Sequence, residues 1–162
     1  MATSALPAPQ VEASESVQLC VFAVGDEEYA LDIMRIEEIL QPHAPTRVVG
    51  APPWVSGVIN LRGVIVPVVD LRLRLGSGPV TTKLKPKFIV CKVGRRRAAL
   101  KVDGVTQVVR VGLDELKPAP AMLTGTHVSP DTARYVLGVF GTPQKLTLLL
   151  DIKALFAAGA GR

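Results

Sequence analysis

Residues that could act as acids, bases or nucleophiles are few and widely spaced in this chain of 162 residues. The two histidines, His43 and His127, lie in separate segments containing proline or serine, and no partner nucleophile accompanies either of them. The sequence also has no phosphate-binding glycine loop, no nucleophile elbow and no His-Glu-x-x-His pair. We therefore predict that the protein is not an enzyme and that it has no catalytic residue, no metal site and no cofactor.

The carboxylates form small groups whose positions fit structural roles. The run 26–28 follows a glycine at a predicted hairpin tip, and Glu37 and Glu38 lie on the polar side of a predicted short helix. Paired carboxylates can do acid–base chemistry when burial shifts the pKa of one of them, but nothing in these segments predicts burial. Asp70 and Asp151 follow predicted strands, where an aspartate commonly caps the next turn. We expect these groups on solvated faces or in turn caps.

Both cysteines, Cys20 and Cys91, lie within apolar runs typical of strands. Two such residues provide neither a disulfide framework nor the spacing of a metal site. We expect reduced thiols that are buried in the core.

The chain is basic, with a formal net charge of +5, and clusters of lysine and arginine lie at 83–87 and at Arg95, Arg96 and Arg97. This charge keeps binding of nucleic acid by a small basic barrel as the alternative function. Such sites normally add aromatic side chains on which bases stack, whereas the aromatic residues here lie mostly in apolar runs that should point inward. Nucleic acid is therefore the weaker prediction.

The sequence shows no secretory signal and no apolar run long enough to cross a bilayer. We expect a cytoplasmic protein without direct membrane insertion, which its partners would recruit to a membrane. A small-molecule substrate is not expected.

The predicted elements that carry these residues are short strands rich in Val, Ile and Leu, joined by tight turns. Strands at 57–61 and 64–69 flank the turn Arg62-Gly63. Pro67 predicts that the second of these strands lies at an edge or is bulged, because proline donates no ladder hydrogen bond.

A short helix capped by Asp32 is predicted just before this hairpin. The apolar residues within this helix have a helical spacing that places them on one face: Ile33, Ile36, Ile39 and Leu40. Pro42 and Pro45 would end this helix.

The chain repeats itself once. The pattern of 24–40 recurs at 93–109 with an offset of 69, and 57–72 recurs at 138–153 with an offset of 81. Two copies of a strand-rich pattern predict two related all-β units, and short strands with turn signals close best as small barrels.

The repeat sets the expected domain organisation. We predict a disordered N-terminal tail at 1–16, related subdomains at about 17–75 and 86–156, with exchange of strands between them left open, and a flexible C-terminus at 157–162.

Four segments resemble the CheW family of chemotaxis adaptors. They are VGDEEYALDI at 24–33, SGVINLRGVIVPVVDLR at 56–72, VDGV at 102–105 and KPAP at 117–120, within a resemblance that runs from about 17 to 156. The resemblance implies an all-β fold of two five-stranded SH3-like β-barrels with short helical connections. It also implies a non-catalytic adaptor that couples the regulatory domain of a CheA-type histidine kinase to the cytoplasmic tip of methyl-accepting chemoreceptors.

The same resemblance implies which residues meet each partner. A groove lined by Ile33, Ile36 and Ile39 would accept apolar side chains of a receptor helix, with Glu38 and Arg62 fixing its orientation by charge. The residues expected to meet the kinase are Gly57, Asn60, Leu61, Gly63 and Met122. End-to-end contacts between barrels would also allow weak self-association.

Overall fold

The protein is described here by a computed structural model that covers residues 15–77, 83–118 and 130–160. Within these ranges the chain forms mainly short β-strands, with two α-helices and three 3-10 turns. The strands are β1 (Ser16–Val24), β2 (Glu27–Asp32), β3 (Ile36–Leu40), β4 (Val55–Leu61), β5 (Val64–Asp70), β6 (Lys87–Val93), β7 (Arg96–Val102), β8 (Gly104–Gly112), β9 (Val136–Thr142) and β10 (Lys145–Leu150). The helices are α1 (Leu71–Leu75) and α2 (Ile152–Ala160), and the 3-10 turns are Ile33–Arg35, Leu113–Glu115 and Pro130–Tyr135.

The strands form two five-stranded sheets, each of which closes into a small barrel. The order in barrel 1 is β9-β10-β2-β1-β8, and the order in barrel 2 is β4-β5-β7-β6-β3. In barrel 2, Thr46 joins the chain after β3 to β4 through two hydrogen bonds of 2.8 Å with Val58. In barrel 1, Lys117 joins the chain after β8 to Val139 of β9 in the same way. The predicted all-β fold of two five-stranded SH3-like barrels is therefore confirmed.

The two barrels exchange strands. Barrel 1 takes β1 and β2 from the first half of the chain and β8, β9 and β10 from the second, while barrel 2 takes the remaining five. Neither sheet is therefore confined to one of the predicted subdomains, 17–75 or 86–156. The chain crosses between barrels at the 3-10 turn Ile33–Arg35 and returns through Asp103.

The registers of the two barrels repeat the sequence offsets. The parallel pair Val68–Ala99 of barrel 2 corresponds to Leu149–Ala30 of barrel 1, at the offsets of 81 and 69. The bulges on β4 and β9 correspond as well, since they lie between Val55 and Gly57 and between Val136 and Gly138. The repeat in the sequence is therefore a structural pseudo-symmetry.

Three clusters of buried side chains make up the core. One fills barrel 1 around Leu19 and Val21, and one fills barrel 2 around Val66 and Phe88. The largest lies between the barrels and draws from both, for example Phe22 of β1 and Ile89 of β6. Burial of apolar area, which stabilises by about 25 cal/mol per Å2, therefore also holds the barrels to each other.

Arg74 links the two halves next to this shared cluster. Its guanidinium lies 4.3 Å from the ring centroid of Trp54 and 4.8 Å from that of Tyr135, residues that correspond at the offset of 81. It also donates a hydrogen bond of 2.8 Å to the carbonyl oxygen of Leu155 on α2. Cation–π contacts of this kind are favourable when partly desolvated, so Arg74 fastens α2 and both aromatic rings together.

Local predictions had mixed outcomes. Asp70 and Asp151 cap the helices that follow them, as predicted, by accepting hydrogen bonds from Arg72 and Lys153 backbone N–H groups. The edge position predicted for Pro67 is wrong, because β5 lies between β4 and β7. The pairing of β5 with β7 covers only Val68 to Asp70, so the missing N–H of Pro67 interrupts no part of that ladder.

The predicted terminal segments fall largely outside the described residues. The tail prediction for 1–16 covers fourteen residues that lie outside them, and β1 begins at Ser16. At the other end α2 extends through the predicted flexible segment as far as Ala160. Neither helix of the described chain has the length and apolar run that crossing a bilayer requires.

Both cysteines are free and buried, as predicted. Burial raises the pKa of the Cys91 thiol from its ordinary value of 9.0 to about 12, and the nearby Cys20 adds to this increase. Between these two pKa values the unfolded chain releases a proton that the folded chain retains. The contribution of Cys91 to stability is therefore complete below pH 9 and is lost as the pH rises toward 12.

We expect the free energy of unfolding to fall with pH above pH 9, with Cys91 contributing about 1.4 kcal/mol per pH unit. Urea unfolding of the wild type and of Cys91→Ala between pH 8.5 and 10.5 would measure this contribution. The variant should be less stable near pH 8.5 and should lose stability less steeply as the pH rises. Parallel pH profiles for the two proteins would contradict the assignment to Cys91.

Candidate partner-binding surface

The turn between β4 and β5 presents an arginine in a conformation that most residues avoid. Arg62 and Gly63 have φ angles of 50° and 88°, and Arg62 is the one non-glycine residue of the described chain with a positive φ. Two positive φ values fit the mirror-image turns whose twist matches two-residue hairpins. The Asn60 side-chain oxygen fixes the turn by accepting a hydrogen bond of 2.8 Å from the Gly63 N–H. The turn is therefore tight and rigid.

Arg62 forms an ion pair with Glu38 of β3. Its Nη1 lies 3.5 Å from Glu38 Oε1, and its Nη2 contacts Oε2, so the two side chains meet as a fork. The hydrogen bond to Glu38 and the charge of this carboxylate raise the pKa of the guanidinium. The Arg62 side chain remains 69% exposed. Its position is therefore fixed while its remaining N–H groups stay open to a partner.

The predicted helix at 32–40 is wrong beyond its first turn. Only Ile33–Arg35 is helical, with Asp32 accepting a hydrogen bond from the Met34 N–H, and Ile36–Leu40 is strand β3. Spacings of three residues also fit a 3-10 turn followed by a bulged strand, which is why the pattern was ambiguous.

A bulge at Glu37 sets which residues of β3 share a face. Ile36 pairs with Cys91 and Ile39 with Ile89, two neighbours that belong to the shared core cluster, whereas Glu38 pairs with Val90 of the barrel 2 interior. Ile36 and Ile39 therefore lie on one face, as predicted, and Glu38 lies on the other. Leu40 packs inside barrel 2, so its predicted place beside the isoleucines is wrong.

The structure brings together only part of the set predicted to meet a receptor. Glu38 and Arg62 contact each other, and Ile39, the cross-strand partner of Ile89, is 42% exposed. Ile36 is partly buried and packs against that cluster. Ile33 is half-buried on the 3-10 turn. The charged pair and the isoleucines thus flank β3 on opposite faces rather than lining one groove.

Part of the set predicted to meet a kinase lies at the turn that carries Arg62. Asn60 and Gly63 are exposed there, and Leu61 beside them is buried. Gly57 is buried at the bulge of β4, away from the turn, so it can influence a partner only through the shape of barrel 2. Met122 lies outside the described residues.

Sequence reasoning missed two exposed apolar side chains beside the turn. Val64 is 42% exposed and Ile65 is 61% exposed at the start of β5. Both sit in a run of β-branched residues that predicts a strand but gives no sign that one end of it faces solvent. Met34, 77% exposed on the 3-10 turn, was missed for a similar reason.

In the described part of the chain, no fully exposed aromatic side chain lies beside the basic residues. Arg95, Arg96 and Arg97 are exposed around the β6–β7 hairpin, and Arg97 Nε lies 2.7 Å from Glu37 Oε1. The seven aromatic residues of the chain are all buried or half-buried, as predicted, so the nucleic-acid alternative gains no support. The described residues contain no group of three or more His, Cys, Asp or Glu arranged to hold a metal ion.

Comparisons with known proteins match nearly the whole described chain. The family of CheW-like domains matches residues 18–160. The chemotaxis protein CheW of Klebsiella aerogenes is 32% identical over 141 residues, covering 87% of this chain and 82% of its own. The CheW of Bacillus subtilis is 34% identical over 138 residues, covering 85% of each chain.

A solved structure and a more distant relative extend this likeness. The scaffolding protein TtCheW of Thermoanaerobacter tengcongensis superimposes with a TM-score of 0.74 at 28% identity, covering 86% of this chain and 92% of that one. Protein FrzA of Myxococcus xanthus is 27% identical over 140 residues, covering 85% of this chain and 84% of its own.

Proposed function

The chain belongs to the CheW family, and on this premise we propose that it joins a CheA-type histidine kinase to the cytoplasmic tips of chemoreceptors. The observation that carries the proposal is the family match over residues 18–160, which includes both barrels. The family consists of non-catalytic adaptors in chemosensory signalling. The protein is accordingly an adaptor and not an enzyme.

The receptor side of the proposal centres on Arg62. A turn arginine that is held by Glu38 and still exposed loses little conformational freedom when it binds, which favours a charged contact with a receptor carboxylate. The exposed part of Ile39, together with the partly buried Ile33 and Ile36, would receive apolar side chains of the receptor helix. The receptor helix would therefore lie across β3 and contact both of its faces at the strand edge.

The kinase side of the proposal uses the other exposed parts of the β4–β5 turn. Asn60 and Gly63 are accessible there, next to the apolar Val64 and Ile65, which supply the kind of surface that the end of a homologous barrel could cover. Gly57 and Leu61 would support this surface from inside barrel 2. Met122 remains a predicted contact.

Coupling of this kind needs no reacting group. A receptor with two conformational states changes the activity of the kinase only if the adaptor between receptor and kinase transmits the conformational change. A rigid adaptor transmits the change because it does not absorb it by deforming. The shared core cluster and the two short crossings between barrels give this chain the required rigidity.

A reconstitution with purified components tests the proposal. Receptor cytoplasmic fragments assembled on vesicles should sediment the kinase regulatory domain only when this chain is present. The exposed control variant Arg110→Ser, on β8 of barrel 1, should behave as the wild type. Equal sedimentation of the kinase domain with and without the chain would contradict an adaptor role.

A further inference from the structure

Barrel 2 lacks two aromatic rings that barrel 1 contains at the corresponding positions. At the offset of 69, Phe22 and Tyr29 of barrel 1 correspond to Cys91 and Ala98 of barrel 2. Phe22 and Tyr29 are cross-strand partners whose buried rings stack with centroids 6.4 Å apart. Cys91 and Ala98 are cross-strand partners in the same way. At positions related by the pseudo-symmetry, barrel 1 therefore has a stacked aromatic pair and barrel 2 has two small side chains.

A groove opens where the tyrosine of barrel 1 has only Ala98 as its counterpart. Its volume is about 560 Å3, and it is lined by Ala98, Trp54, Val93 and Phe156, by Pro52 before β4, and by proline and valine residues of β4 and β5. Most of this lining is apolar, as in sites that bind organic groups. The groove is large enough for an aromatic side chain and part of the chain that carries it.

The rim of this groove is positively charged. Arg96, Arg97 and Lys153 line it, and no carboxylate of the residues that the structure describes does. Within the described chain Arg96 and Lys153 form no ion pair with a carboxylate, and the Arg97 pair with Glu37 uses its Nε. The positions that correspond to Arg96 and Arg97 in barrel 1 are Glu27 and Glu28, so the charge is inverted between the halves.

We propose that this groove is a docking site for a partner protein segment that carries an aromatic side chain beside carboxylates. Barrel 1 shows which chemistry suits the position, because there the run Glu27-Glu28-Tyr29 places a ring in the corresponding space behind two carboxylates. In barrel 2 the ring is missing and the adjacent charges are positive. A partner would supply both the ring and the negative charge.

The occupant is a separate protein rather than this chain itself. The aromatic ring of the acidic hairpin, Tyr29, is 1% exposed and so cannot enter the groove of a second copy. The N-terminal residues 1–15 contain no aromatic side chain. None of the groove residues is among those proposed to meet receptor or kinase, so this site extends the adaptor function beyond those two contacts.

The test uses the full-length protein and a synthetic peptide with one tyrosine flanked by glutamates. Trp54 is the single tryptophan and lines the groove, so its fluorescence reports binding directly. A second measurement, calorimetric titration, gives the affinity. We expect saturable binding that Ala98→Tyr weakens at least about tenfold, because the new ring would occupy the groove as Tyr29 occupies the corresponding position of the other half. Arg96→Glu, at an exposed position, should weaken it similarly while leaving the unfolding transition unchanged.

Three controls make the outcome decisive. Arg95→Glu changes the same charge on the same hairpin outside the groove and should alter affinity less than twofold. A peptide with alanine in place of tyrosine, or lysines in place of glutamates, should not bind. Unchanged binding by Ala98→Tyr, an equal loss from Arg95→Glu, or equal affinity for a free aromatic carboxylate would overturn the proposal. The measurement includes neither receptor nor kinase, so its failure would leave the adaptor function standing.

Discussion

Arg62→Glu is expected to reduce receptor-dependent recruitment of the kinase by about ten- to a hundredfold, the range found for charged residues at the centre of interfaces. The substitution places a carboxylate beside Glu38 and reverses the charge offered to the receptor. Direct binding to the kinase regulatory domain should change little. Sedimentation with receptor fragments, compared with titration of the kinase domain alone, would separate these effects.

Two further variants distinguish a direct contact of Arg62 with the receptor from an effect of Arg62 on the conformation of the turn. Arg62→Gly removes the side chain but suits the positive φ of this position better than arginine does, so the fold should be retained while receptor coupling is lost. The double exchange Glu38→Arg with Arg62→Glu restores an ion pair inside the protein but still presents the wrong charge. Recovery of receptor coupling by the double exchange would show that the pair only positions the turn.

Gly57→Ala is expected to destabilise the protein by about 2–4 kcal/mol, because the new Cβ would meet backbone that cannot move aside. The added carbon would lie 2.7 Å from the Thr46 carbonyl carbon and closer still to its oxygen, and the φ of Gly57 is +149°. Thr46 closes barrel 2 through its bridge to Val58. The clash would therefore disturb the bridge between Thr46 and Val58 that closes the barrel. Chemical unfolding would measure the loss.

Gly138→Ala is the matched control in barrel 1. Gly138 corresponds to Gly57 at the offset of 81, but its added Cβ would lie 3.0 Å from the Lys117 carbonyl oxygen and its φ is not in the left-handed region. We expect a loss of about 1 kcal/mol there, the size of a mild overpacking. Equal losses at the two glycines would contradict the argument. Reduced kinase binding by Gly57→Ala should follow the fraction unfolded, since Gly57 itself is buried.

The architecture was predictable to the extent that the chain repeats itself. The offsets of 69 and 81 can be read directly from the sequence. In the structure, the parallel strand registers, the bulges and the helix caps of the two halves correspond at the same offsets. The inward direction of most aromatic residues was predictable as well, since they lie mostly in apolar runs. The repeat also contained the exchange of Tyr29 for Ala98, which comparison of the two halves position by position would reveal.

Which strands pair with each other in each barrel was not predictable from the repeat. Whether β3 follows β2 in the same barrel or crosses to the other depends on the direction of the 3-10 turn at 33–35, and hydrophobic periodicity carries no information about direction. The face shared by Ile36 and Ile39 was predicted correctly from a helical spacing, yet it arises from a bulge. The pairing of Arg62 with Glu38 likewise depends on closure of barrel 2, which no local pattern specifies.

The crossing at Asp103 has a mechanical consequence. This residue alone separates β7 from β8, and it is fastened to barrel 1 because its N–H donates to Ala23 and its side chain accepts from the Gly25 N–H at 2.7 Å. Together with the other crossing at Ile33–Arg35, it joins the barrels by two short connections, in addition to their shared core cluster. A torque applied to barrel 2 would therefore rotate barrel 1 with it as a rigid body. A single linker would instead let one barrel rotate relative to the other.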